Sequence, residues 1–517
     1  MTSVQLFAFN NSIAKELKER ITPDLFAGPM GKTADGVFVP FVPSAYQHAY
    51  FDWMQKKRGS CLVKAVAGSG KTTTIVMGLR HTGALAHEVN ASTFHSAGLY
   101  PITKHLGCKS RDMVIDGSKV RKLAREALGD VEHETYASFS ARLVGLAKGQ
   151  GIGPLEPDVP EAWYRLIQHH DLYLEAEDAT EERAIEIARD LLSRSNEAAK
   201  RKHIDFDDML YLPLLWRLRL WQNDWVFIDE AQDTNPVRRA LAKLALKPGG
   251  RLVAVGDPKQ AIYGFTGASH DAMDLIAKEF NCIELPLTVS YRCPKAIAER
   301  VKQIVPYFEV PETAIQGEIV QCSVDEAIKR MDAHDAVVCR QTAPLIELCF
   351  SLIAKGIGCT VLGKDIAAGL VALIEKQRAK GIDALLEKLE EFRARETSRF
   401  LAKGEEQKAE SINDRVACVV AVINNLAETQ RTIPGLISRL QSIFSDENGV
   451  LSVLTLATVH KVKGKEYRRV AILAPELMPS KWARQEWQAE QEQNLMYVAD
   501  TRTMETLFIL TGAPKQA

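Results

Sequence analysis

Residues 61–80 read CLVKAVAGSGKTTTIVMGLR: a short apolar run, a glycine-rich turn and a helical pattern. The run Cys61–Ala65 predicts a strand and Thr72–Arg80 a helix. Between them, Ala67, Gly68, Ser69 and Gly70 form a turn whose backbone N–H groups can approach phosphates at a helix N-terminus. Lys71 adds a positive charge there, Thr72 a hydroxyl that can bind Mg²⁺, and Thr73 continues the same turn. The strict phosphate-loop pattern has Gly where Ala65 stands, so the match is one residue short. A tight turn binding nothing accounts for the glycines but not for the Lys71-Thr72 pair that follows them.

Outward from this stretch, short β-rich runs alternate with longer helical patterns, which predicts an α/β protein with parallel sheets. Candidate strands are Cys61–Ala65, Trp225–Asp229, Leu252–Gly256, Ala336–Cys339, Val453–Ala457, Val470–Leu473 and Leu507–Leu510, grouped before and after about residue 290. Residues 105–203 and 371–445 are charged and helically periodic, and read as helical insertions into two α/β cores.

The chain has 517 residues, 46% hydrophobic and 25% charged, which suits several compact units and excludes a disordered, fibrous or disulfide-framework protein. With 65 basic against 66 acidic residues the formal net charge is -1, so any contact with nucleic acid must come from local patches. The nine cysteines never form C-x-x-C, which argues against a zinc ribbon or redox dithiol and suggests a reducing compartment. The start lacks a signal-peptide pattern and charges interrupt the apolar runs, so a cytoplasmic or nucleoid-associated protein with no membrane contact is expected.

A second acidic block, Asp229-Glu230-Ala231-Gln232-Asp233, follows the apolar run WVFID. An Asp at a strand end can hold Mg²⁺, and an adjacent Glu can orient or deprotonate an attacking water. Asp-Glu alone is usually a solvated loop; beside a phosphate loop it predicts a nucleoside-triphosphatase using Mg²⁺. Further blocks follow in order: Gly256-Asp257-Pro258-Lys259-Gln260-Ala261-Ile262-Tyr263-Gly264-Phe265, Thr288-Val289-Ser290-Tyr291-Arg292, Thr458–Tyr467 and Tyr497–Arg502. With these, the chain from about Pro43 to about Leu510 resembles the UvrD/Rep-type superfamily-1 DNA helicases, matching their ordered motifs I to VI.

The resemblance implies two RecA-like P-loop domains with parallel sheets, each carrying a mainly helical insertion. The expected divisions are 1–104 with 204–285 for the first domain, 105–203 for its insertion, 286–370 with 446–517 for the second domain, and 371–445 for the short second insertion. It implies ATP hydrolysis between the two domains driving movement on single-stranded DNA or at a single/double-strand junction, 3′ to 5′ in most of the family. A loading or activating protein partner, and roles in DNA repair, replication or recombination, belong to the same expectation. Little chain follows Arg502, so no fused C-terminal nuclease is expected.

Residue roles follow where the motifs match. Gln47 resembles the glutamine that reads adenine, although Ser44-x-x-Gln47 is also a helix capping box. Gln260 resembles the γ-phosphate sensor, Tyr291 the aromatic that stacks on the base, and Arg292 and Arg502 the two arginine fingers; for either arginine the plain alternative is a surface ion pair. Glu466 resembles the acid at the ribose, while His460 and Lys463 lie in the block that couples nucleotide to DNA. Thr93 and His95 resemble motif Ib, and Tyr263 and Phe265 are candidate stacking platforms for bases. Thr266 stands where many relatives have Arg, an expected weakening of the coupling.

No motif Ia block lies between Thr72 and Thr93. The N-terminal stretch Val4–Leu17 closely resembles one, with VQLFAF as strand, SIAKELKER as helix, and Phe9 and Asn10 as DNA-contacting candidates. The expectation is a displaced motif Ia whose strand joins the first sheet, with Gly28–Val42 as the return connection; the alternatives are a strand–helix hairpin of no functional weight and a rearranged gene. The basic cluster Lys104, Lys109, Arg111, Lys119, Arg121, Lys122 and Arg125 is a candidate phosphate-neutralising patch or a solvated helix face. Ile204–Met209 reads as mainly structural. The rival functions are an ATP-switched DNA-binding or loading module without processive unwinding, and a small-molecule phosphotransferase.

Overall fold

A computed structural model of the chain describes residues 2–21, 30–32, 38–40, 42–56, 58–170, 172–174, 179–262, 271–402, 406–445, 453–481, 483 and 486–511. The chain divides into two compact units, Met1–Val66 with Gly70–Thr288 and Ala67–Ser69 with Val289–Ala517.

The first unit is built on a six-stranded sheet in the order Cys282–Leu287, Ser60–Ala65, Leu246–Gly256, Asn223–Ile228, Val4–Ala8, Val89–Thr93. Every neighbouring pair is parallel. Helices on both faces bury such strands, which is why they are runs such as VQLFA and CLVKA with scarcely a charge. The N-terminal strand pairs on both sides, Leu6 with Phe227 and with Ala91, as the displaced-strand expectation requires. Phe7 is buried and its ring stacks on Phe94 at 4.1 Å, tying this strand to the helix Phe94–His105. Of the expected return connection, Met30–Lys32 and Phe38–Pro40 pair as an antiparallel ribbon.

Helices Lys119–Ala127, Asp130–Gln150, Pro160–His169 and Glu181–Lys200 occupy the first charged stretch and share their own apolar core around Trp163, Leu143 and Leu191. A buried ion cluster fastens this core to the helix Phe206–Leu215. Lys148 Nζ lies 2.5 Å from Asp205 and 2.7 Å from Asp208, and Lys119 also meets Asp208. Lys119 is fully buried, so it drops out of the expected basic patch: its ammonium is committed to Asp208 and the Ser195 carbonyl.

The second unit holds a seven-stranded sheet in the order Glu318–Cys322, Thr503–Leu510, Tyr467–Ile472, Ala336–Cys339, Leu454–Thr458, Cys359–Leu362, Phe444–Ser445, again all parallel. Helices Lys364–Lys376, Ile382–Ala402, Glu406–Asn424 and Ile433–Ile443 fill the second charged stretch. Asp414 from this stretch caps the helix Ala343–Ala354, accepting from the Thr342 and Ala343 amides.

The candidate strands of the sequence are all present, several one to six residues longer. Val89–Thr93, Cys282–Leu287, Glu318–Cys322, Cys359–Leu362 and Phe444–Ser445 were not apparent in it. They are short or carry polar residues, as in VNAST and EIVQC, and four of them are sheet edges, where one side needs no apolar cover.

Candidate nucleotide and nucleic-acid sites

At the C-terminal end of Ser60–Ala65 the chain turns through Gly68 (φ +72) and Gly70 (φ +77), left-handed conformations that favour glycine. Gly70 is the N-cap of the helix Lys71–Gly78 and no side chain caps it, which leaves the first-turn amides to a ligand.

Lys71 Nζ lies 3.3 Å from Glu230 Oε2, and Thr72 Oγ1 donates to Asp229 Oδ2 at 3.2 Å. Both carboxylates stand where the strand Asn223–Ile228 ends, and Glu230 turns the chain with φ +52. From Glu230 a relay of hydrogen bonds runs onward. Gln232 Nε2 donates to Glu230 at 2.5 Å, the Asp257 amide donates to Gln232 Oε1 at 3.0 Å, and Gln260 Nε2 donates to Asp257 Oδ2 at 2.7 Å. Lys71, Glu230 and Gln260, from three sequence blocks, thereby share one network.

Burial pushes the Asp229 carboxyl up to about 7, with the charge of Glu230 acting in the same direction. Burial alone would lower the Lys71 ammonium, but Glu230, Asp257 and Asp229 outweigh it and raise its pKa. Three carboxylates around one ammonium give the site an excess of negative charge. Hard oxygen donors from Thr72 and Asp229 are the set that Mg²⁺ takes, so these residues fit the cation.

Gln47 takes its capping-box contacts here: Oε1 accepts from the Ser44 amide at 2.9 Å and its own amide donates to Ser44 Oγ at 3.2 Å, while Nε2 donates to Thr74 Oγ1 at 2.9 Å. It is buried beside the phosphate-loop helix. Thr73 Oγ1 accepts from Arg20 at 3.1 Å.

The parallel pairing of Ala8 with Thr93 brings the motif-Ia-like and motif-Ib-like residues to one end of the sheet. Arg238 lies over the Phe9 ring at 5.0 Å from its centroid. Asn10 Oδ1 accepts from the Ile13 amide at 2.9 Å, and Thr93 accepts from the Ser96 amide at 3.2 Å, so both cap helices. Burial, then Arg238, pushes the His95 imidazole down to about 4. The ring of Phe206, 57% exposed, stands edge-on to His95 at 6.4 Å. The segment Ile204–Met209 is structural as expected, through the buried ion pairs of Asp205 and Asp208, and it also presents this exposed ring. Tyr263, Phe265 and Thr266 lie outside the described residues.

In the second unit Arg292 forms an ion pair with Glu466 and donates to the Thr501 carbonyl at 3.2 Å. Arg502 is buried beside them and donates to the carbonyls of Val498 at 3.1 Å and Lys465 at 3.2 Å. Burial and then the Arg292 charge push the Arg502 guanidinium down to about 10. Tyr291 is half exposed beside them. His460 lies in the turn Val459–Val462 after the strand Leu454–Thr458, with its imidazole pushed down to about 3 by burial and by Arg340, Lys461 and Lys463.

Comparison with known proteins is consistent with these two units. A family model for the UvrD/REP helicase N-terminal domain matches residues 77–281, and one for the UvrD-like helicase C-terminal domain matches residues 370–512. A probable DNA helicase II homolog of Mycoplasma capricolum is 28% identical over 224 residues, covering 40% of this chain and 29% of that protein. The ATP-dependent DNA helicase Rep of Salmonella typhimurium is 28% identical over 267 residues, 45% of this chain and 39% of the relative. ATP-dependent DNA helicase PcrA of Leuconostoc citreum is 21% identical over 297 residues, 49% and 38% respectively. The chain thus spans less than half the length of these curated relatives.

Proposed function

Because the chain belongs to the UvrD/Rep-type superfamily-1 helicases, we propose that it is an ATP-dependent DNA translocase or helicase acting on single-stranded DNA, with 3′ to 5′ movement. The observation that carries this reading is the hydrogen-bonded network from Lys71 through Glu230, Gln232 and Asp257 to Gln260. It joins a phosphate-binding residue, a base and a candidate γ-phosphate sensor, so a change at the nucleotide is felt along one connected path.

In this reading the amides of the Gly68–Thr72 turn cradle the phosphates and Lys71 neutralises the β- and γ-phosphates. Thr72 and Asp229 hold Mg²⁺, which supplies charge neutralisation on the phosphate oxygens. Glu230 orients and deprotonates the attacking water. Arg292 and Arg502 act on the charge that develops on the transferring phosphoryl group, Tyr291 stacks on the base and Glu466 receives the ribose. Phe9, Asn10, Thr93 and His95 form the DNA track of the first unit, with Phe206 added to it; His460 and Lys463 contribute from the second.

The test is steady-state ATP hydrolysis with and without single-stranded DNA, using Lys71→Ala as the blank. Strong stimulation is expected. Hydrolysis without stimulation would instead favour a nucleotide-switched DNA-binding module. Strand displacement on duplexes with 3′ or 5′ overhangs then reads the direction, and unwinding only from 5′ overhangs would overturn the stated polarity.

A further inference from the structure

The second unit brings together two cysteines ten residues apart in the chain. Cys349 lies on the buried side of the helix Ala343–Ala354 and Cys359 opens the strand Cys359–Leu362. The turn between them passes through Gly356 at φ +73, which sends the strand back along the helix. Their Sγ atoms are 3.6 Å apart, and Cys359 Sγ is 3.7 Å from the Cys349 carbonyl oxygen. Both thiols are free; Cys349 is buried and Cys359 partly exposed.

We propose that Cys349 and Cys359 are a site of reversible oxidation, closing to an intrachain disulfide when the protein meets a hydroperoxide. A disulfide has its sulfurs about 2.05 Å apart, so roughly 1.5 Å of approach closes the bond, within reach of side-chain rotation and a small helix shift. The surroundings select this pair. Burial pushes up the thiols of Cys61, Cys282, Cys293, Cys322, Cys339 and Cys418, which keeps them as unreactive thiols. Cys359 moves the other way, because the hydrogen bond shared with the Cys349 sulfur outweighs its burial, while that same bond and then burial push the Cys349 thiol up; Cys359 is therefore the sulfur that ionises first, and Cys349 stays a thiol at 3.6 Å from it.

The chemistry balances in two steps. The Cys359 thiolate attacks one peroxide oxygen and the O–O bond breaks, leaving a sulfenic acid on Cys359 and, after protonation, water or an alcohol. The Cys349 sulfur then attacks the Cys359 sulfur; the S–S bond forms as the S–O bond breaks, and hydroxide leaves as water with the Cys349 proton. Two electrons pass from the two thiols to the peroxide, and a dithiol reductant returns them. The new bond would join the helix Ala343–Ala354 to a strand that pairs with Leu454–Thr458, the strand leading into His460 and Lys463.

The test is a peptide map of the whole protein after stepwise addition of hydrogen peroxide and alkylation without reductant. Trypsin cuts after Arg340, Lys355 and Lys364, so the two cysteines fall in separate peptides, 341–355 and 356–364. The expected result is a disulfide-linked pair of these peptides that appears before other cysteines oxidise and is lost on treatment with dithiothreitol. Recovery of 356–364 as an alkylated or sulfinic peptide with no linked pair, at doses that oxidise other cysteines, would overturn the proposal. In a Cys349→Ser variant the sulfenic acid on Cys359 should persist and be trapped by dimedone. Should that variant fail to fold, the map of the unmodified chain still decides.

Discussion

Among single residues, the roles proposed for Glu230 and Lys71 separate most clearly in their expected effects. Glu230→Gln is expected to lower turnover by two orders of magnitude or more, roughly the range a lost general base gives, while nucleotide still binds. Fluorescent-nucleotide titration beside a hydrolysis assay checks both halves, and normal turnover would remove Glu230 from the role of base. Lys71→Ala is expected to lose both. The two arginines should separate on stability: Arg292 has one side in an ion pair with a partly exposed Glu466, whereas Arg502 is buried on backbone carbonyls. Arg292→Ala is expected to slow hydrolysis with little change in Tm, and Arg502→Ala to lower both. An unchanged rate in either variant would return that arginine to a structural role.

His460 makes a pH prediction. Its folded pKa, about 3, lies below the unfolded value near 6.5. The native state therefore keeps it neutral, its contribution is fully present above pH 6.5, and it is lost as pH falls from there towards 3. Asp335 and Asp500, raised to about 6 by burial, act in the opposite sense. The comparison must therefore be between variants: His460→Asn should lose less stability than the parent between pH 7 and pH 5 in denaturant titrations.

At the scale of elements, the N-terminal strand is the unusual part. It is first in the chain, yet it lies inside the sheet between Asn223–Ile228 and Val89–Thr93. Each of its residues is buried, and Phe7 stacks on the helix that begins after Thr93. Phe7→Ala should therefore cost about 3–5 kcal/mol of unfolding free energy, the range for a buried Phe, measured by chemical denaturation. A loss well under 1 kcal/mol would mean that this strand is a detachable appendage. Asn10 and Thr93 each cap a helix from the same end of the sheet, so their local role is met by the backbone before any ligand arrives.

For the molecule as a whole, the change of unit at Thr288–Val289 has a consequence for activity. Residues 1–288 contain all six strands of the first sheet and the network from Lys71 to Gln260, but neither Arg292 nor Arg502. This fragment should unfold in one cooperative thermal transition and bind nucleotide while hydrolysing it far more slowly than the full chain. Full-rate hydrolysis by the fragment would exclude both arginines from the chemistry.

The sequence by itself determined the local parts of this protein: the phosphate loop from glycine spacing and Lys71-Thr72, the acidic block from its place after WVFID, and the helical stretches from their periodicity. It also pointed to the N-terminal strand, because a run as apolar as VQLFAF must be covered. Such features rest on neighbours in the chain. Only the tertiary structure decided which distant residues meet. It spent Lys119 on a buried ion cluster, bound Gln47 into its capping box, set Phe206 beside His95, and put Cys349 against Cys359 without any C-x-x-C spacing. Strand pairing and helix docking set those distances, and both are governed by the burial of apolar faces contributed by segments far apart in the chain.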